Sequence, residues 1–396
     1  MAVVAFLSCF VVFGVTYSFG AFFKPMAAEF GSSRAHTSII FSLTAAIYSV
    51  LGLIAGRLTD RFGPRRVILV GAFALGTGLI ATSFARSLAV AYLTYGLGVG
   101  IGAACGYVPM LAVVGGWFRR RRNAAMGVAV SGIGAGTLTV APLAAAMIHR
   151  FGWRVSYALI GVAGGLILAL CGMLATAPPI SSNAAPRPIA HLVRSPEFAI
   201  LYFSALLASV TIYVPFVYLP DFAQSRGIGD VPAAALVGFI GAASMAGRLS
   251  FGSIADRIGI LKLYKLSLLV MALSYAIWPR AHAYATFVLF TIVMGVAYGG
   301  MVSLSPTVVA ELFGVEDLGT MLGALYTSSA LSALAGPPLV GLAIDHGGSY
   351  LWAAAIAGST GLVAFSVLIP LQTPMVESRI EQLGQGAGES ASRGQS

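Results

Sequence analysis

The sequence predicts an all-α membrane protein of twelve transmembrane helices, arranged as two pseudo-symmetric six-helix bundles. Three observations predict it. Of 396 residues, 58% are hydrophobic and 9% charged, with 23 Lys and Arg and 13 Asp and Glu. A soluble domain carries about a quarter of its residues as charges, so this chain has too few to coat a water-facing surface of its size. Cutting at the charged and Pro/Gly-rich breaks leaves twelve apolar stretches, each near the roughly 20 residues that a helix needs to cross a bilayer. Finally, separated pieces of the first half recur in the second at one constant offset.

The first six spans are 2–23, 37–56, 67–84, 88–115, 124–148 and 154–175. They are divided in turn by the Lys24–Arg34 segment, GRLTDRFGPRR, the Arg86 loop, the basic run Arg119–Arg122, and a loop ending in Gly152. Residues 177–196 (APPISSNAAPRPIAHLVRSP) form the one sizeable linker. The second six are 197–220, 232–255, 263–279, 283–310, 319–344 and 350–371, broken by Arg226 to Asp230, DRIG, Pro279 to His282, ELFGVED and Asp345 to Ser349. The predicted organisation is an N-terminal bundle at 1–176, a cytoplasmic linker at 177–196, a C-terminal bundle at 197–372, and a tail at 373–396 whose Gly, Ser, Glu and Gln content reads as disordered. The apolar N-terminus lacks a basic leader and a small-residue cleavage pattern, so it reads as a retained first span.

Basic residues orient the chain, because Lys and Arg are retained on the cytoplasmic side. Loops of one parity and the tail hold fifteen, among them Arg57, Arg61, Arg65, Arg66 and the Arg119–Arg122 run, against seven in the opposite loops. This places both termini in the cytoplasm, in a cell (inner or plasma) membrane. The net charge of +10 does not indicate nucleic acid, which requires a basic patch on a soluble surface. Cys9, Cys105 and Cys171 each sit in an apolar run and read as packing residues. His36, His149, His191, His282 and His346 lie at loops or helix ends without metal-ligand spacing, so neither a metal site nor a catalytic centre is indicated. GLGVGIG (96–102) mimics a dinucleotide fingerprint but lacks any βαβ context. No phosphate-binding GxxxxGK[ST] loop is present, so no cofactor is expected and any transport draws on gradients.

The repeat can be checked by subtraction. Gly56, Asp60, Arg61 and Gly63 recur as Gly252, Asp256, Arg257 and Gly259, each 196 residues later, and Pro142 and Gly152 recur as Pro338 and Gly348. Parallel repeats of this kind place a binding site between the halves near the bilayer midplane.

The motifs GRLTDRFGPRR (56–66) and GRLSFGSIADRIG (247–259) resemble the paired loop signatures of the major facilitator superfamily. More specifically, YSFGAFFKPMAAEFG (17–31), WFRRRRNAAMGVAVSGIGAG (117–136), GWR (152–154), ELFG (311–314) and LGALYTSSALSALAGPPLVG (322–341) resemble the monocarboxylate transporter family and the related oxalate/formate antiporters. The resemblance implies the major facilitator fold, a small carboxylate substrate moved by alternating access with proton coupling, a monomeric functional unit, and a substrate-binding arginine in the eighth helix. The chain departs from it at three points. The first span has Lys24 only at its outer end, Ser244 stands four residues before the arginine where animal lactate carriers have an aspartate, and 319–344 lacks the lysine of the oxalate exchangers.

Arg248 is the basic residue that belongs to no loop. It lies eight residues before Asp256, which marks the end of its span. At 1.5 Å per residue this is about 12 Å in, close to the midplane of a hydrocarbon layer about 30 Å thick. A charge there costs at least about 2.5 to 3.5 kcal/mol and usually faces a cavity or a partner. Ser244 and Gly252, one turn away on either side, supply no counter-charge, so a substrate carboxylate, matched to the planar guanidinium, is the expected partner. The alternative is a side chain that snorkels to the headgroups or pairs with another helix. Its repeat counterpart is Gly52, so the anion site is one-sided, which favours a single carboxylate.

The same depth reckoning brings Tyr107, Ser131 and Tyr326 to the level of Arg248, with Tyr298, Tyr17 and Tyr213 further out. Their hydroxyls are candidates to hydrogen-bond a substrate, the alternative being core aromatics. Ile133 and Val108 are candidate apolar walls. Asp60 with Arg61 and Asp256 with Arg257 read as gates at helix ends, the alternative being static loop anchors. The glycines of spans 4 and 5 read as packing positions. Asp221, at the outer end of span 7, is the proton-coupling candidate unless it is an exposed loop residue; Glu311 and Asp345 sit at helix ends.

The expected function is therefore secondary transport of a lactate- or pyruvate-like monocarboxylate with protons. The alternatives are carboxylate exchange of the oxalate/formate type, export of an unrelated small molecule, or a non-transporting receptor.

Overall fold

A computed structural model describes residues 1–118, 122–177, 193–313 and 318–372; the Arg119–Arg121 part of the basic run, most of the linker and the 373–396 tail lie outside them. Twelve helices occupy the described residues. The first half contains α1 (Ala2–Phe30, interrupted at Ser18), α2 (Arg34–Phe62), α3 (Pro64–Ser83), α4 (Leu88–Trp117), and α5 and α6, which together run Arg122–Leu174 and meet at Gly152. The second half contains α7 (Pro196–Ser225), α8 (Asp230–Ile258), α9 (Ile260–Arg280), α10 (Tyr284–Phe313), α11 (Leu318–Gly347) and α12 (Leu351–Leu368). Most helices outrun their predicted spans because apolar patterning stops at the first charge, whereas the helix continues through the interface until a cap ends it. Ser33, Ser87 and Ser195 cap the starts of α2, α4 and α7 by accepting from the N–H three residues on.

The duplication is written in the backbone. Among the described residues, positive φ occurs at six glycines: Gly31, Gly63 and Gly152, and Gly227, Gly259 and Gly348. These are three pairs separated by the same 196 residues. Gly63 (φ 81°) closes α2 and opens α3; Gly259 (φ 95°) does the same between α8 and α9. A side chain at either position would be strained in that conformation.

In lipid, helices associate by close contact rather than by hydrophobic collapse, and glycine sets how close they come. A Cβ on Gly132 or Gly136 of α5 would run into the backbone carbonyls of Phe6 and Phe10 in α1. Gly102 of α4 lies against Leu75 of α3, Gly106 against Val12 of α1, and Gly98 against Gly78 of α3. Gly134 instead crosses between the halves, where an added Cβ would lie 2.6 Å from the Gly241 carbonyl oxygen of α8. Gly127 is the exception, with its nearest neighbour Leu249 at 4.0 Å. Large apolar side chains such as Phe73, Leu166 and Leu249 face outward, as a lipid-facing surface requires.

Gly136→Leu is expected to force α1 and α5 apart and to destabilise the fold by about 1 to 3 kcal/mol or more. Thermal denaturation in detergent should show a lowered midpoint, with Gly127→Leu close to wild type. Equal midpoints for the two variants would contradict this packing assignment.

Candidate functional site

The two halves enclose a cavity of about 400 Å³, lined from α1, α2, α4 and α5 on one side and from α7 to α11 on the other. Its lining reaches Gly56, Leu322, Gly323 and Ser305, towards the ends of α2, α11 and α10 on the side that carries the basic loops. We call this the basic face. At the opposite, far face the halves meet. Tyr17 stacks on Phe216 with ring centroids 4.1 Å apart, Phe41 meets Tyr213 edge-on, and Phe23 meets Tyr218. A Cβ on Gly341 of α11 would come within 2.7 Å of the Ala35 backbone in α2. The cavity is thus shut at the far face, and Tyr326, 45% exposed, stands on its accessible side.

An ion cluster completes the far-face seal. The Arg34 guanidinium, at the start of α2, lies 3.5 Å from Asp221 of α7 and 3.4 Å from Asp345 of α11, and its Nε donates to the Tyr350 hydroxyl at 3.1 Å. The Tyr350 hydroxyl in turn donates to Asp221 Oδ2. Asp345 Oδ2 accepts the Ala35 N–H at 3.2 Å, a carboxylate at the positive end of α2. Asp221 is therefore not an exposed loop residue; it is 8% exposed and locked into a contact between halves. Inside the first half, Glu29 is bound by Trp153 Nε1 and by Arg154, whose Nη2 lies at 2.6 Å. Arg154 and Tyr350 are repeat counterparts, 196 residues apart, and each holds a carboxylate of the first helix in its own half.

Arg248 faces the cavity. Its Nη1 donates to the Val130 carbonyl of α5 at 3.4 Å, its guanidinium stands 5.8 Å from the centroid of the Tyr298 ring, and its buried Nε has no partner. Among the described residues no carboxylate pairs with it. Ser244 turns away, donating to the Gly241 carbonyl. The hydrogen bond runs across to the other half and the ring contact stays within the second half. Arg248 is also the one charged residue among the described cavity-lining side chains.

Of the sequence-derived candidates, Tyr17, Tyr107, Tyr298 and Tyr326 line the cavity with Arg248, as do Ile133, Val108 and Tyr213. Ser131 does not. Its hydroxyl donates to the Val128 carbonyl one turn back in α5. Depth gives a residue's level but not its direction: two positions along a helix turn the side chain by about 200°, so Ser131 and Ile133 cannot both face inward. The side chains of Asp60 and Asp256 lie outside the described residues. Arg61 and Arg257 are exposed at the basic face, Arg61 lying over the Phe62 ring at 5.2 Å. The sequence reading missed Tyr48, whose hydroxyl lies 3.4 Å from that of Tyr213, and the Ser209–Ser329 pair at 3.0 Å. A signal for Tyr48 existed: it stands one turn from Gly52, the counterpart of Arg248.

This architecture, two bundles around a cavity closed at one face, is that of a multi-pass membrane transporter. Comparison with known proteins gives the particular family. The model of the Major Facilitator Superfamily matches residues 5–283 and 251–390. Monocarboxylate transporter 3 of Rattus norvegicus is 30% identical over 380 residues, covering 90% of this chain and 77% of the relative. Monocarboxylate transporter 13 of the same species is 30% identical over 373 residues, covering 93% and 87%. The chain belongs to the Major Facilitator Superfamily and, within it, to the monocarboxylate transporter family; it is not an enzyme. In fold it is similar to a bacterial homolog of the human lysosomal transporter Spinster, solved in an inward-facing and unoccupied conformation, with a TM-score of 0.69 and 14% identity over 93% of this chain and 94% of that one.

Arg34→Ala removes the cation shared by two carboxylates and is expected to loosen the far-face seal. A cysteine placed at Ser49 in the cavity wall should then label several-fold faster with a membrane-impermeant thiol reagent added from the far face, above the background of the three buried native thiols. Unchanged labelling would show that the cluster does not hold this face shut.

Proposed function

We propose that this protein moves a small monocarboxylate across a cell membrane by alternating access, together with a proton. The observation that carries the reading is Arg248, a cation in a cavity that offers it no carboxylate among the described residues. A guanidinium in such a place binds an anion strongly, because desolvation strengthens the charge-assisted pair. One cation on one wall matches one carboxylate; Gly52, at the counterpart position, also lines the cavity. The names of the rat relatives point the same way.

The basic face is read as cytoplasmic, from the excess of Lys and Arg in its loops, so the conformation described is open inward. Both halves of one chain wall a single cavity, which supports a monomeric functional unit. Transport then alternates which face is sealed. The Arg34 cluster holds the far face, and Asp60 with Arg61 and Asp256 with Arg257 are assigned the corresponding role at the basic face, at the ends of α2 and α8.

Asp221 is the proposed proton-coupling residue. Arg34 faces both Asp221 and Asp345, so the cluster has one negative charge in excess. When the halves part, Arg34 leaves with the first half while both carboxylates remain in the second. Uptake of a proton at Asp221 offsets that loss of counter-charge.

Arg248→Ala is expected to abolish uptake of short monocarboxylates in proteoliposomes while folded yield is retained, with Arg248→Lys recovering only part, because an ammonium lacks the bidentate fork. Undiminished uptake in Arg248→Ala would defeat the anchor assignment. Asp221→Asn is expected to remove substrate-driven proton flux while substrate exchange down a concentration difference persists. Proton flux equal to wild type would remove Asp221 from the coupling scheme.

A further inference from the structure

The cavity has a second polar pole besides Arg248. Tyr48 of α2 and Tyr213 of α7 bring their hydroxyls to 3.4 Å from opposite halves. An ordinary O–H···O bond is about 2.7 to 2.8 Å, so this pair is loosely made, and the hydroxyls of Tyr17 and Ser49 beside it extend it into a small polar cluster. Tyr48 lies one helical turn beyond Gly52, the repeat counterpart of Arg248, and on the far-face side of it. One turn is about 5.4 Å along the membrane normal, or roughly four carbon–carbon bonds of about 1.5 Å.

Between the poles the wall is aromatic. Phe13 stands edge-on to both Tyr48 and Tyr107, with interplanar angles of 80° and 88° and centroids 6.0 and 4.9 Å apart, and Tyr298 offers its ring beneath the guanidinium. Such edges and faces are the geometry in which a further ring packs well. The volume of about 400 Å³ falls within the roughly 300 to 1,000 Å³ of sites that enclose drug-sized ligands.

We propose that the preferred substrate is an aryl-bearing monocarboxylate, its carboxylate on Arg248, its ring against Phe13 and Tyr107, and a polar ring substituent between Tyr48 and Tyr213. The proposal rests on the assignment of Arg248 as the carboxylate anchor and adds the length and character of the substrate's arm. Tyr48 and Tyr213 are then specificity-determining: each half supplies one hydroxyl, so a substrate that bridges them also ties the halves together at the closed end of the cavity.

The test is a ligand-binding panel on the purified full-length protein, read by thermal shift, since a ligand that binds the folded state raises its apparent stability by mass action. The probes are acetate, pyruvate, phenylpyruvate and para-hydroxyphenylpyruvate. Phenylpyruvate is expected to act at concentrations at least about ten-fold below those of pyruvate, from burial of the ring. The para-hydroxyl should add a further factor of about three to ten. Tyr213→Phe, and separately Tyr48→Phe, should narrow the gap between the two aryl acids to within about two-fold; the ligand-free midpoint of each variant reports that it is folded. Pyruvate or acetate binding as tightly as phenylpyruvate would overturn the proposal while leaving Arg248 as anchor. A hydroxyl advantage that survives both tyrosine variants would overturn the role of the pair. Failure of all four acids to shift wild type would overturn the anchor and this proposal together.

Discussion

A guanidinium facing the cavity between the halves, with no carboxylate beside it among the described residues, is the constraint around which this protein is organised. Low dielectric makes an uncompensated charge expensive there, yet the described structure spends only one long hydrogen bond, to the Val130 carbonyl, and a tyrosine face on Arg248. That bond depends on how α5 and α8 meet. Gly134 and Gly241 let the two backbones touch, which brings a carbonyl of the first half to a cation of the second. The charge, the cavity and the join between the halves are therefore one feature.

The two halves share a backbone plan but differ in chemistry. The paired glycines with positive φ repeat three helix junctions of each half at the same offset, while the side chains that hold each half's first helix have diverged. In the first half Arg154 binds Glu29 and the Ser83 carbonyl, all within that half. In the second half Tyr350 binds Asp221 and also receives Arg34 from across the interface. One copy of the repeat serves as a static fastening; the other is part of a contact that must break for the far face to open. The two halves thus share the frame but differ at equivalent positions, Arg154 acting within its half and Tyr350 across the interface.

Much of the fold was legible because the bilayer leaves few options. Backbone groups must be satisfied inside each segment, so long apolar stretches read directly as helices, and the glycines of the DRFG and DRIG turns marked their ends. Arg248 was legible for the same reason, as a charge in a place that excludes charges. Tyr107 was placed at the level of Arg248 by depth along its helix, and Tyr298 somewhat further out; both line the cavity. Ser131 does not, because helical direction separates it from Ile133 by more than half a turn. The Arg34 cluster was invisible: Asp221, Asp345 and Tyr350 lie 187, 311 and 316 residues from Arg34, and nothing local to Arg34 distinguishes it from another loop arginine.

The sequence by itself determined the membrane class, the duplicated six-helix unit and the existence of a single intramembrane cation, since each follows from hydropathy, spacing or charge along one dimension. Only the tertiary structure decided which side of the cavity is closed, that Asp221 is buried against Arg34, and that Tyr48 and Tyr213 meet. Those facts belong to the interface between the two repeated six-helix halves. The rotation of each helix about its axis and the approach of one half to the other are set by packing at glycine-sized contacts summed over many turns, and no local stretch of sequence encodes that sum.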